Sequence, residues 1–266
     1  MNRNREAEDI ISDAFATARG KKRFDLARRA LLVSRDCADA YVILADEAMP
    51  DDTKALQLLK EGIHAGERAL GKRVFREEAG NFWLIFETRP YMRARFMLGL
   101  LLHFRGETSR AIAVFKDLLR LNPNDNQGAR YELATCLLEQ SNDEELENLL
   151  LEYERDGSAV WLYSRALLKF RQEGNSPVAE ACLREAREEN PFVLKYLLRE
   201  KDLPARHPDF MCRGERSEAV VYALDNLRAW EGTPGALAWL DSMTRSRKSC
   251  RKKAPKQASG KNRKTE

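Results

Sequence analysis

Proline, glycine and cysteine are all scarce in this chain of 266 residues. Nine prolines and fourteen glycines leave long stretches rich in Leu, Ala, Glu and Arg, a composition that favours helix. The five cysteines are an odd number and include no C-x-x-C pair, so neither a disulfide framework nor a structural zinc site is indicated. These shortages exclude a disulfide-stabilised scaffold and point to a helical protein with free thiols.

Long hydrophobic runs are also lacking. The longest one, Phe96–Leu102, is far shorter than the roughly 20 residues that span a bilayer. The N-terminal segment has no apolar stretch of the kind found in a secretory signal. Apolar residues still make up 43% of the chain, which is enough for a hydrophobic core. We therefore expect a soluble, cytoplasmic protein with no membrane partner.

Catalytic and metal-binding motifs are missing as well. The histidines His64, His103 and His207 lack the spacing of a helical zinc site, and no P-loop, nucleotide-binding glycine motif or nucleophile elbow occurs. His103 ends an apolar helical stretch, where a structural histidine is expected. We therefore expect no enzyme, no metal and no cofactor. A minor alternative is an enzyme that uses Glu87, Arg89 and His103, which would need a pocket.

Positive charge is concentrated at one end of the chain. Residues 242–266 contain ten Lys or Arg and one acid, a net charge of +9, which leaves −5 for residues 1–241. With nothing to pack, this segment is expected to be a disordered tail. Its basic residues, within 245–264, suit weak, salt-sensitive binding of nucleic acid, without base stacking because the segment has no aromatic residue. The other interpretation is a terminus that only keeps the protein soluble.

A repeat with a period of 34 residues organises the rest of the chain. Asn122-Pro123 and Asn190-Pro191 lie two periods apart, and each closes a helix–turn–helix unit. Small residues on one helix lie opposite large apolar ones on the next, which lets paired helices approach closely. Residues 62–86 break the period and are expected to hold an extended helix or an insertion. We predict three units and a pair of closing helices, at 92–125, 127–158, 160–193 and about 216–241.

This pattern resembles the tetratricopeptide repeat. The resemblance implies an all-α fold of helix–turn–helix repeats in a right-handed superhelix, here as one domain over residues 1–241. A second likeness combines Glu87–Ala94 with Asn122–Gly128, and it is similar to bacterial tetratricopeptide proteins related to the suppressor-of-tumorigenicity family. That likeness implies a helical scaffold with no established catalytic role.

The resemblance also places candidate binding residues, because the first helix of each such repeat lines a concave groove. We expect a protein or peptide there, held through a carboxylate or acidic side chain. For any single arginine, a salt bridge between neighbouring helices is an equally good interpretation. The candidate residues combine cationic, amide and aromatic side chains: Arg93, Phe96, His103, Asn126, Gln127, Arg130, Tyr131, Trp161 and Arg165.

Two short motifs call for separate interpretation. Glu87, Arg89 and Tyr91 mark a helix junction, where Arg89 is expected to bond the carbonyls of a helix end. The other motif is the polar stretch 122–128. Calcium binding is excluded there, because an EF-hand counted from Asn122 would need Gly and Glu at its sixth and twelfth positions and finds Gln and Leu. Asn124 or Asp125 is expected to cap the next helix, which leaves Asn126 and Gln127 as polar residues in excess.

Overall fold

The computed structural model describes the backbone of residues 3–49 and 51–252 and the side chains up to residue 244. Within these ranges every regular element is a helix and no strand occurs, so the predicted all-α class is confirmed. Two short 3-10 helices lie at Phe82–Leu84 and Phe86–Thr88. The α-helices are α1 (Arg3–Ala16), α2 (Lys21–Val33), α3 (Ala38–Ala48), α4 (Asp52–Glu77), α5 (Arg89–Phe104), α6 (Thr108–Leu121), α7 (Ala129–Glu139), α8 (Asp143–Glu152), α9 (Ala159–Glu173), α10 (Pro177–Glu189), α11 (Val193–Leu197), α12 (Arg216–Glu231) and α13 (Ala236–Lys252).

Helix pairs occupy the ranges predicted for the repeats. α5 packs against α6 in the first range and α9 against α10 in the third, α7 and α8 fall in the second range, and α12 and α13 lie where closing helices are predicted. Close packing between α5 and α6 depends on Gly99, because a Cβ atom there would lie 2.6 Å from Cε1 of the buried Phe115 ring. The small residue opposite a large one therefore has the steric role that the sequence predicts.

The chain before α5 contains both of the features expected for residues 62–86. α4 is a long helix whose backbone leaves the helical conformation at Gly71, where φ is 70°. Glycine tolerates this left-handed value without steric cost. The two 3-10 helices that follow α4 form the insertion. The sequence did not predict α1, although its buried residues Ala7, Ile11 and Ala14 recur at helical spacing on one face.

The chain divides into two compact units, Met1–Leu149 and Leu150–Glu266, where the sequence predicts one repeat domain over 1–241. Each unit has buried apolar residues of its own. In the first unit, one core cluster packs α1, α2 and α3 together through small residues such as Ala27 and Ala30. In the second unit, Tyr163 and Trp230 are among the largest fully buried side chains.

Helix α13 extends past the predicted start of the tail at residue 242 and ends at Lys252. Arg187 donates a hydrogen bond to the carbonyl of Met243, 3.1 Å away, which ties this part of the helix to α10. The sequence pattern missed the extension because Lys and Arg favour helix without giving an apolar periodicity. The remaining tail residues, 253–266, lie outside the described residues. Across the helices that are described, none is both long and apolar enough to cross a membrane.

Candidate functional site

The polar stretch after Pro123 caps helix α7. Asp125 is buried and has a φ of 48°, a left-handed value that aspartate tolerates better than most residues. Its carboxylate accepts hydrogen bonds from the backbone N–H groups of Ala129 at 2.7 Å and Arg130 at 3.0 Å. It also accepts one from Nη1 of Arg130 at 3.1 Å. Asp125 therefore acts as the helix cap that the sequence predicts, and its charge is balanced locally.

Arg130 and Tyr131, two of the predicted groove residues, are bound to each other next to this cap. Nη2 of Arg130 donates to the hydroxyl of Tyr131 at 2.6 Å, and the guanidinium lies 4.4 Å from the centre of the ring. Asn126 and Gln127, the polar residues beyond those needed for the cap, have different surroundings. Asn126 is exposed. The buried Oε1 atom of Gln127 has no hydrogen-bond partner among the described residues.

The other predicted arginines form ion pairs, and His103 makes a polar contact with a carboxylate. Arg93 binds Asp39 in a bidentate arrangement, with Nε–Oδ1 at 2.7 Å and Nη2–Oδ2 at 2.5 Å. Nε2 of His103 lies 2.8 Å from Oε2 of Glu139, and Nη2 of Arg165 lies 2.5 Å from Oε2 of Glu185. Arg93 and Arg165 thus form the salt bridges of the alternative interpretation, and His103 has a partner within the fold.

The predicted aromatic groove residues are covered to different degrees. Phe96 is half-buried and packs against the Phe115 ring with centroids 5.9 Å apart. Trp161 is only 2% exposed and meets the edge of Tyr153 at 6.0 Å. Trp161 therefore belongs to the interior of the second unit, and its assignment to a binding surface is wrong. Helical spacing identified its face of α9 but not the neighbour that covers that face.

The junction motif is structural at two of its three residues. Nε of Arg89 donates to the carbonyl of Trp83 at 2.9 Å, as expected for an arginine at a helix end. Its guanidinium also stacks on Phe86, 4.0 Å from the ring centre. Tyr91 is buried and packs edge-on against Phe75 at 5.0 Å, and this burial raises the pKa of its hydroxyl. The third residue, Glu87, is exposed.

Glu87 and Arg93 meet at a cleft of about 310 Å³ in the first unit. Its walls come from α1, α3, α4, the second 3-10 helix and the first turns of α5. The apolar part of the wall includes Phe15 and Phe86, which are 44% and 72% exposed. Asp39 lies in the same wall and is 5% exposed, held by its pair with Arg93. The cleft thus combines open aromatic rings with a buried ion pair.

Negative charge prevails in this cleft. It is lined by four carboxylates, Glu8, Asp36, Asp39 and Glu87, and by one guanidinium, that of Arg93. Asp36 is paired outside the cleft lining, with Arg68 at 2.7 Å. Among the described residues, Glu8 and Glu87 form no ion pair or side-chain hydrogen bond. The cleft therefore has two carboxylates without an ion-pair partner in the described chain, and the charge of Arg5 only partly offsets that of Glu8.

The pKa of Glu8 reflects this imbalance. Burial raises the pKa of its carboxyl, and the nearby charges of Glu87 and Asp39 raise it further. Cys37, also in the lining, contributes no charge at neutral pH, because burial raises the pKa of its thiol to about 11. A cation that entered the cleft would relieve the repulsion between the carboxylates.

Comparison with known proteins identifies the family of the chain. A sequence model of the family described as ST7 protein matches residues 1–258. The chain belongs to the ST7 protein family. Similar relatives include the suppressor of tumorigenicity 7 protein-like of Rattus norvegicus, 27% identical over 88% of this chain and 45% of the relative, and that of Homo sapiens, 28% identical over 88% and 44%. The ST7 homolog of Caenorhabditis elegans is 28% identical over 90% of this chain and 51% of the relative.

The chain spans about half the length of these curated ST7 relatives. A similar solved structure is that of YrrB, titled a TPR protein with an unusual peptide-binding site. It shows 19% sequence identity and a TM-score of 0.45, over 63% of this chain and 76% of YrrB.

The second unit of this ST7-family chain contains a polar cluster that sequence reasoning missed. The buried carboxylate of Glu218 accepts three hydrogen bonds, each of 2.8 Å, from the backbone N–H groups of Ala159 and Gly214 and from Nδ2 of Asn190. Asn190 also accepts from the N–H of Phe192 at 3.1 Å. All of these bonds tie helix ends together, so the cluster stabilises the fold.

The acidic cleft was missed for a different reason. Its residues Glu8 and Phe15 lie on α1, a helix that the sequence did not predict, and Asp39 had no recognised role. The signal available for α1 was the spacing of Ala7, Ile11 and Ala14. Nowhere in the described part of the chain do three or more His, Cys, Asp or Glu side chains form a group suited to a metal ion.

Proposed function

We propose that this chain is a non-enzymatic helical repeat scaffold that binds a protein or peptide, and that the cleft around Glu87 and Arg93 is part of its binding surface. The observation that carries the proposal is the composition of that cleft. Two rings that are 44% and 72% exposed, Phe15 and Phe86, stand beside carboxylates without partners. Exposed aromatic side chains next to polar groups are typical of the anchors that dominate protein interfaces.

The size of the cleft favours part of a larger ligand. Its volume of about 310 Å³ is at the lower end of the range for small-molecule sites. A volume of this size suits one long side chain of a peptide. The rest of the peptide would then lie along the surface of the first unit.

The predicted groove residues that remain exposed or half-buried form the rest of the proposed surface. Asn126 is exposed. Its amide side chain both donates and accepts, so it suits the backbone of a bound peptide. Phe96, His103, Arg130 and Tyr131 are each half-buried and would form the neighbouring contact area.

Phe86→Ala tests the proposal against a matched control, Leu32→Ala. Both residues are large, apolar and exposed in the first unit, Leu32 to 88%, but only Phe86 lines the cleft. The probe is an array of synthetic twelve-residue peptides of varied charge, read with the fluorescently labelled protein. We expect Phe86→Ala to lose most of the array signal and Leu32→Ala to keep it, with unchanged circular dichroism in both. Equal signals from the two variants would contradict the cleft assignment.

The basic C-terminal segment supports a second candidate function, the binding of nucleic acid through residues 245–264. Its charge of +9 over residues 242–266 carries this candidate, since each neutralised phosphate releases a counterion. The test is an electrophoretic mobility shift with single-stranded DNA at low salt. Replacing the ten basic residues of 245–264 by Gln should abolish retention. Retention that is unchanged by these replacements would refute this candidate.

A further inference from the structure

The excess of carboxylates in the cleft indicates the charge of the ligand group that would fit there. Glu8 and Glu87 come from different elements, α1 and the second 3-10 helix, and face one cavity. Neither has an ion-pair partner among the described side chains, whereas Asp36 and Asp39 do. Burial raises the pKa of Glu8, the nearby charges of Glu87 and Asp39 raise it further, and Arg5 lowers it only in part, in keeping with an excess of negative charge in the cleft. A positively charged group from outside would complete the site.

The protein's own arginines show which cation the walls accommodate. Arg93 binds Asp39 through two parallel contacts and also lies 5.6 Å from the centre of the Phe15 ring. Arg89 lies 4.0 Å from the centre of the Phe86 ring. In both cases a planar guanidinium meets an aromatic ring, and Arg93 binds a carboxylate as well. A lysine ammonium is a compact point charge and cannot pair in this bidentate way.

The apolar wall sets a second requirement. Pro90 and the exposed rings of Phe15 and Phe86 adjoin the carboxylates in the lining. A ligand that buries these groups must carry an apolar residue close to its cation. An isolated cation or a purely basic segment would leave this surface in water.

We propose that the cleft is a docking site for an arginine side chain of a partner peptide, with an apolar residue next to the arginine. This assignment rests on the proposed function, since it names the ligand of the same surface. The guanidinium lies between Glu8 and Glu87, and the apolar neighbour covers Phe86. The sign of the charge is opposite to that expected from the sequence, which favoured an acidic partner.

Matched peptides and matched variants of the full chain test the assignment. The probe is a fluorescent nonapeptide, Gly-Ser-Leu-Arg-Phe-Leu-Ser-Gly-Ser, with versions in which Gln, Lys or Glu replaces the Arg. Fluorescence anisotropy measures the Kd of each for the wild type, for the Glu8→Gln/Glu87→Gln double variant and for a Glu6→Gln control. Glu6 is exposed on α1 and does not line the cleft, so this control removes charge without changing the site.

The expected order of affinity is Arg, then Lys, then Gln, then Glu. We expect replacement of Arg by Gln, or use of the double variant, to weaken binding about tenfold, because charge-assisted hydrogen bonds are lost. The Glu6→Gln control should bind like the wild type. The preference for Arg should also decrease at high salt.

The outcomes separate this assignment from the proposed function. If the Gln or Glu peptide binds as tightly as the Arg peptide and Phe86→Ala still weakens it, the arginine assignment is overturned and the peptide-binding function stands. If the double variant and Glu6→Gln weaken binding equally, the effect is one of general charge and the assignment is also overturned. If no version of the nonapeptide binds but the array of twelve-residue peptides gives a signal that depends on Phe86, only the arginine assignment fails. If neither probe binds, the proposed function fails with it.

Discussion

The corner at Asp125 and the acidic cleft around Glu8 and Glu87 differ in how their charges are balanced. At the corner, Asp125 accepts two backbone N–H groups and the guanidinium of Arg130, and Arg130 in turn contacts Tyr131. In the cleft, two carboxylates have no partner in the described chain. The charged residues of a polar stretch can thus be paired within the fold itself, as Asp125 and Arg130 are. The group left without a partner is the better guide to a ligand.

The largest effect should come from breaking the corner. Asp125→Ala removes the carboxylate that caps α7 and that also accepts a hydrogen bond from Arg130. We expect a loss of about 3 kcal/mol in the free energy of unfolding, measured by urea denaturation, because the cap and a charge-assisted hydrogen bond are lost together. The exposed neighbour gives a control, since Asn124→Ala should stay within about 0.5 kcal/mol of wild type. An Asp125→Ala protein as stable as the Asn124→Ala control would contradict the structural role of the corner.

A smaller effect on stability, coupled to binding, should follow from Asp39→Asn. The substitution removes the charge that holds Arg93 and places an unbalanced cation in the cleft wall. We expect a loss of about 2 kcal/mol in the free energy of unfolding, typical of a hydrogen bond to a charged group. The arginine nonapeptide should also bind more weakly, because Arg93 now repels it. A lower free energy of unfolding together with an unchanged peptide affinity would show that the role of Asp39 is only structural.

The sequence predicted features that depend on residues close together in the chain, and it missed those that depend on residues far apart. The helix pairs and the cap at Asp125 follow from spacings within one repeat, so the sequence predicted them. The cleft joins α1 to residues far along the chain, and its central pair links Asp39 to Arg93 across a separation of 54 residues. Periodicity contains no information about such pairs. For the same reason Trp161 was misassigned, since the pattern placed it on a helix face without the neighbour that covers it.

The smallest effect on stability should come from Glu8→Gln, and its sign is opposite to that at the corner. The pKa of Glu8 is raised in the folded protein, so the folded state binds a proton more readily than the unfolded chain does. The charged form therefore opposes folding at neutral pH, and this penalty disappears as the pH falls through the folded pKa. We expect Glu8→Gln to raise the Tm slightly at pH 7.

Thermal unfolding at several pH values checks this expectation. The difference in Tm between Glu8→Gln and wild type should shrink as the pH falls from 7 towards 4, because Glu8 itself becomes neutral in the wild type. Glu6→Gln is again the control and should show no such trend. A Glu8→Gln protein with a lower Tm at pH 7 would mean that Glu8 has a stabilising partner, and the comparison between cleft and corner would lose its basis.

The most direct test of the central claim is an NMR titration of the ¹⁵N-labelled full chain with the arginine nonapeptide. The cleft should be the binding surface, so the backbone amide signals of Glu8, Phe15, Phe86 and Glu87 should shift first and with a common Kd. The amide signals of Ala129 and Arg130, whose N–H groups are held by Asp125, should move least. Shifts centred on residues 126–131 with the cleft signals unchanged would contradict the account.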